Sequence, residues 1–169
     1  MLLLQQFIDK DLIKNELKSK DKNNIIEEMA ELFIKKGIVT DKKPFVDAIN
    51  KREELESTAI GDGIAIPHAR ADCIKEIKVA FAKSSEGVDF KSSDKKPVFL
   101  IFMIASPTSA RKEYLQLVAK IARLLKSKTM KEGLLKTKTP EEVMELIRDF
   151  DGVIPEEIKV ETKEGRVIH

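Results

Sequence analysis

The chain has 169 residues with 31 basic and 29 acidic side chains; 42% of its residues are hydrophobic and 36% are charged. That length suits one domain with a core of its own, the composition excludes a disordered chain and a membrane protein, and the near-cancelling, interleaved charges exclude a nucleic-acid footprint. A single cysteine, Cys73, permits no intrachain disulfide and no Cys-x-x-Cys metal site, the longest apolar run (Val98 to Ala105) falls far below the about 20 residues of a membrane span, and no signal peptide follows Met1, so the expected location is cytoplasmic.

Taken in order, a leucine-rich start leads to a segment from Asp21 to Lys36 with Ile25, Ile26, Met29, Ala30, Leu32 and Phe33 at helical spacing, and Gly37 stands where a helix C-cap is expected. A second helix is predicted from near Pro44, with Phe45, Ala48, Ile49 and Arg52 on one face, which places Arg52 on the inward stripe. The run Ile64-Ala65-Ile66 reads as a buried strand, preceded by Gly61 and Gly63 and closed by Pro67, so that His68, the only internal histidine, leaves a stiff strand end. Glu76 to Lys83 alternates as a strand, Ser84 to Gly87 reads as a turn or loop, and Val98 to Ala105 as the central, doubly covered strand.

Beyond the break at Ser106-Pro107-Thr108-Ser109, an amphipathic helix is predicted over Arg111 to Lys126, its stripe drawn through Tyr114, Leu115, Val118, Ala119, Ala122 and Leu125. Ligand sites in open α/β sheets collect just past strand carboxyl ends, which makes Ser106, Thr108 and Tyr114 candidates for a site lining. A short helical piece over Met130 to Leu135 follows, and Thr139-Pro140-Glu141-Glu142 carries the signature of a helix start, with Val143, Leu146 and Ile147 on the buried face. Strands interleaved with amphipathic helices, without internal repeats, predict a single α/β domain over residues 1–150, a mixed central β-sheet flanked by α-helices; residues 151–169 read as a C-terminal tail or small hairpin.

Four chemistries compete for His68. A metal ligand set is poorly supported, since Cys73, Asp62 and Asp72 match no familiar spacing; a hydrolase triad lacks a Gly-x-Ser-x-Gly elbow; and a core histidine needs only a carbonyl partner. Acceptance of a phosphoryl group uses the neighbours best. A neutral imidazole offers a ring lone pair, and the resulting anion needs donors fixed in advance, which Arg52, the Ser57 and Thr58 hydroxyls and the amides of the Gly61 and Gly63 loop supply without a metal or cofactor.

The segment from Arg52 to Ala69, with the acidic Glu53, the Ile60-Gly61 pair and the ending Ala65-Ile66-Pro67-His68-Ala69, closely resembles the phosphorylation-site segment of the fructose/mannitol-type (type 2, nitrogen-PTS-like) IIA domain of the bacterial phosphotransferase system. The helix order fits that family over roughly residues 1–150. The resemblance implies an α/β sandwich, phosphorylation of His68 at Nε2 by in-line transfer, an orienting role for Arg52 and no required metal ion. It also implies a phosphotransferase that takes its phosphoryl group from a phosphorylated HPr-type carrier protein and passes it to a cysteine of a IIB protein or domain in sugar uptake. The alternative is a regulatory, nitrogen-PTS-like IIA protein whose phosphorylation state controls binding to partner proteins. One departure stands out: family members commonly carry a second active-site histidine early in the helix after the central strand, and aligning Glu113-Tyr114-Leu115-Gln116-Leu117 there puts Tyr114 in its place, with Arg111, one turn earlier, as the less favoured equivalent. Tyrosine can donate a hydrogen bond to a phosphate oxygen but supplies no imidazole titrating near neutral pH.

Overall fold

The protein is described from a computed structural model, which covers residues 2–59 and 61–152. Two 3-10 turns, Leu4–Gln6 and Lys10–Leu12, precede β1 (Ile13–Lys14), α1 (Lys22–Lys35), α2 (Lys42–Leu55), β2 (Ile64–Ala65), β3 (His68–Arg70), β4 (Lys78–Val88), β5 (Val98–Ser106), α3 (Arg111–Lys126), α4 (Lys128–Lys136) and α5 (Pro140–Gly152). The sheet is mixed. Its order is β1-β4-β5-β2, with β3 also pairing on β5; β4 and β5 are antiparallel, while β1 runs parallel to β4 and β2 and β3 run parallel to β5.

Helix ends obey local chemistry. Asp21 caps α1 by accepting from Asn24 N at 3.0 Å, and Gly37 follows the helix at φ +77°, where a side chain would be strained. Thr139 and Glu142 form the reciprocal capping box at the head of α5, each accepting from the other's backbone N–H at 3.2 Å. Helix α2 starts at Lys42, two residues before Pro44, because first-turn N–H groups have no helical partner and proline loses nothing there.

Both alternating sets of side chains on β5 are buried except Phe99, so this strand is covered on its two faces, as its unbroken apolar run predicts. Helices α1 and α2 pack on each other and against β4 and β3, α3 and α4 pack on β5, and α5 closes against α4, β1 and the N-terminal turns. Four expectations change. Strand β4 does not stop at Lys83: it continues through Ser84–Gly87 to Val88 with a register shift, Gly87 at φ +84° and its N–H donated to Ser84 Oγ at 3.1 Å. The turn residues mark a bulge rather than a strand end. The run Ile64-Ala65-Ile66 is broken after Ala65, and the chain re-pairs with β5 only at His68.

Helix α3 is turned relative to the predicted stripe. It buries Leu117, Lys120, Ile121, Leu124 and Leu125, while Leu115 is 53% exposed and Ala119 faces solvent. Helix α5 carries two residues past the predicted domain end, and Asp151 is buried; the proposed hairpin over Ile158 to Ile168 lies outside the described residues.

Candidate functional site

His68 opens β3, opposite Ile104 near the C-terminal end of β5. The break at Ile66-Pro67 puts a carbonyl directly beside the ring: Nδ1 lies 2.7 Å from Ile66 O. A carbonyl oxygen only accepts, so Nδ1 carries the proton and the lone pair of the neutral ring sits on Nε2. Burial holds the imidazole below its ordinary pKa; the Ile66 carbonyl opposes that, the positive Arg52 adds to it and Glu53 opposes it. The product is a neutral ring with one committed nitrogen and one free nitrogen.

The last turn of α2 delivers both charges. The stripe Phe45, Ile49, Glu53 faces inward, so Glu53 is the buried residue and Arg52, expected on that stripe, stands at its half-buried rim. Arg52 Nη1 donates to Glu56 O at 2.7 Å, which folds the guanidinium back over the end of its own helix. Glu53 pairs with Lys22 Nζ at 2.8 Å and accepts from Thr58 N at 3.1 Å and from the Thr58 hydroxyl. That network clamps the loop after α2.

The first turn of α3 brings Tyr114, whose ring centroid is 5.5 Å from that of His68 at an interplanar angle of 60°. Burial raises the phenol pKa, against the pull of Arg70 and Arg52, so the hydroxyl keeps its proton at neutral pH. Arg70, which the sequence reading passed over, places its Cζ 5.5 Å from the centre of the Tyr114 ring. The signal was available: residues two apart on a strand share a face, and Arg70 follows His68 by two.

The remaining candidates lie elsewhere. Thr58 Oγ1 is spent on Glu53, and Ser57 Oγ donates to Phe90 O at 3.3 Å while accepting from Ala59 N at 3.1 Å. Both hydroxyls build the loop instead of facing the imidazole. Gly61 and Gly63 do not cradle this site either. Gly63 O accepts from Phe99 N at 2.7 Å and Leu100 N at 3.1 Å, four strand positions from Ile104, or about 13 Å along β5. Their positive φ values, +141° and +74°, serve the turn into β2. Ser106 Oγ donates to Pro107 O at 2.9 Å and Thr108 Oγ1 to Asp72 Oδ1 at 2.9 Å, so these two fix the turn beyond β5. Among the described residues no group of three or more His, Cys, Asp or Glu side chains is placed to hold a metal ion, and no helix is long and apolar enough to cross a membrane.

The fold and site together define an α/β domain that presents one neutral, half-buried imidazole beside guanidinium groups at the C-terminal end of its central strand. Residues 6–150 match the family described as phosphoenolpyruvate-dependent sugar phosphotransferase system, EIIA 2, and the chain belongs to that family. It is 34% identical over 148 residues, 88% of its length, to the fructose-specific EIIABC component of Bacillus subtilis, of which it spans 23%. Among solved structures it is similar to the nitrogen regulatory protein IIA-Ntr of Neisseria meningitidis, with a TM-score of 0.78 and 29% identity over 85% of this chain and 97% of that one. It is also similar to enzyme IIA-mannitol of Escherichia coli, solved in complex with phosphorylated enzyme IIB-mannitol, with a TM-score of 0.72 and 26% identity over 84% of this chain and 97% of that one.

Proposed function

We propose that the protein is a phosphocarrier: His68 accepts a phosphoryl group from a phosphorylated HPr-type carrier protein and passes it to a cysteine of a IIB protein in sugar uptake. The observation that carries this reading is the Nδ1 contact to Ile66 O, which leaves Nε2 as the only lone pair of a ring kept neutral by burial. Nε2 attacks phosphorus, a P–Nε2 bond forms, and the P–N bond on the donor histidine breaks with its electron pair returning to the donor ring. The Nδ1 proton stays where the Ile66 carbonyl holds it. Transfer onward to a thiolate repeats the exchange, with sulfur supplying the pair and the P–Nε2 bond breaking.

Little covalent work falls to other residues, so catalysis rests on positioning and charge. Arg52 is the cation that acts on the imidazole, and its role in this reading is to meet the charge arriving on Nε2. The Tyr114 hydroxyl stays protonated and offers a hydrogen bond where the family commonly has an imidazole. The reading places the protein in the cytoplasm with its carrier and IIB partners.

The test is to follow labelled phosphoryl groups from the phosphorylated HPr-type carrier into the full chain and then into a IIB protein. Label should enter as an acid-labile, base-stable adduct, leave to the IIB cysteine, and be abolished by His68→Ala. Uptake by that variant would remove His68 from its role. Uptake by the native chain that reaches no IIB protein, with phosphorylation-dependent binding to another protein, would support the regulatory alternative instead.

A further inference from the structure

Two guanidinium groups stand near Tyr114, and the proposed phosphoryl transfer has used one. Arg70 is exposed at the end of β3, on the same face as His68. Its Cζ lies 5.5 Å from the Tyr114 ring centroid, and the only hydrogen bond of its side chain among the described residues is a long one, Nη1 to Thr108 O at 3.5 Å. No carboxylate pairs with it among those residues, although 29 acidic side chains are present in the chain. An exposed arginine that is not held by an ion pair would ordinarily keep its side chain in water; here it lies on a ring that itself stands against His68.

Arg70 completes a support that Tyr114 has only in part. Tyr114 stands in the first turn of α3, its N–H donated to Ala110 O at 2.9 Å, and this helix head has no side-chain cap. The ring is half-buried and packs in part against the hydrophobic core, and the exposed Arg70 guanidinium lies over it. Arg52 acts electrostatically on both rings, and Arg70 acts on the phenol ahead of Arg52.

We propose that Arg70 is a positioning residue for phosphoryl transfer: lying over the Tyr114 ring, it holds the phenol beside His68 so that the hydroxyl donates to an oxygen of the phosphoryl group on Nε2. This inference rests on the phosphocarrier reading. It assigns the job of the usual second histidine to a pair of residues, a phenol that donates and a guanidinium that aims it.

Tyr114 is the only tyrosine and the chain has no tryptophan, so tyrosinate absorbance of the full protein reports this one ring. Arg70→Ala, Tyr114→Phe, the double variant and Arg70→Lys are compared for uptake from the phosphorylated HPr-type carrier, with kcat and KM separated. Arg70→Ala is expected to lower kcat about 10-fold with KM changed less than about twofold, Tyr114→Phe to do the same, and the double variant to lose no more than either single one. Arg70→Lys keeps the charge without the flat fork and is expected to stay near the Ala variant. In Arg70→Ala the phenol should titrate at higher pH than in the native chain.

A native kcat in Arg70→Ala or Arg70→Lys, losses that multiply to about 100-fold in the double variant, a change confined to KM, or an unmoved phenol titration would each overturn the inference while His68 phosphorylation stands. A native chain that takes up no label overturns the phosphocarrier reading, and the inference with it.

Discussion

Burial and a nearby cation both act against protonation of His68, and the direction of that shift has a measurable consequence. The folded chain resists charging the ring, so the residue's contribution to stability is complete above the ordinary imidazole pKa of about 6.5 and declines as pH falls through the lower folded value. The ring likewise stays neutral to lower pH than a free imidazole. The acid limb of phosphoryl uptake is expected to have its midpoint below about 6.5, and Arg52→Gln, by removing one cause of the shift, should move that midpoint upward. A pH–rate profile paired with an NMR titration of the His68 ring checks both; a native midpoint at or above that of a free imidazole would contradict the stated environment. At this scale His68 was legible as the candidate because proline, glycine and a lone histidine are local signals. Arg70 was not read, because its meaning depends on Tyr114, 44 positions later in the chain. Gly61 and Gly63 were misread for the opposite reason: sequence proximity to His68 does not survive an extended strand, which moves them along the sheet.

Individual elements are joined by a few charged side chains whose partners sequence spacing does not reveal. Glu28 on α1 accepts from Lys18 N at 3.0 Å and Ser19 N at 2.8 Å and pairs with Lys14 Nζ of β1 at 3.0 Å, tying the helix to the edge strand and the loop between them. Burial alone would raise its pKa, but the Lys18 and Ser19 N–H groups, the Ser19 side chain and Lys14 together bring it from 4.5 to about 2. A carboxylate lowered in this way stabilises the fold fully above its ordinary pKa and ceases to as pH falls toward the folded value. Glu28→Gln is therefore expected to cost roughly 1–2 kcal/mol at neutral pH, in line with hydrogen bonds to a charged group. The difference should shrink between pH 4.5 and about 2, as urea denaturation at several pH values would show. A difference that stays constant to pH 2 would contradict the account. Helix α3 shows the same limit of legibility: the stripe through Leu115 and Ala119 was as apolar as the true one, and the buried face looked worse on paper because it contains Lys120. A carboxylate 31 positions downstream and a carbonyl near the N-terminus make that lysine acceptable inside.

That carboxylate, Asp151, ties the two ends of the described chain together. It lies near the end of α5, and its Oδ1 and Oδ2 accept from Leu4 N at 2.9 Å and Gln5 N at 2.8 Å, the first N–H groups of the N-terminal 3-10 turn. Lys120 Nζ approaches Oδ1 at 3.3 Å and donates to Leu2 O at 2.6 Å, so helix α3 joins the same knot, with the Phe150 ring 5.6 Å from the ammonium. The predicted domain end at residue 150 cuts through this knot, because no local signal distinguishes Asp151 from the polar residues around it. Its two partners are not symmetrical. Losing Lys120 leaves Asp151 with two backbone donors, whereas losing Asp151 strands two N–H groups and a buried ammonium. Asp151→Ala is therefore expected to cost about 3 kcal/mol or more, and Lys120→Met distinctly less, since a methionine of similar reach can fill the lysine's path through the core. Urea denaturation of the two full-length variants gives the ranking directly. Because the knot lies on the helix that presents Tyr114, the site offers a second reading of the same break: Asp151→Ala should destabilise the fold while leaving the phosphorylation of the folded fraction at His68 intact. An equal or larger loss in Lys120→Met would mean that the ammonium, not the carboxylate, is the centre of the joint.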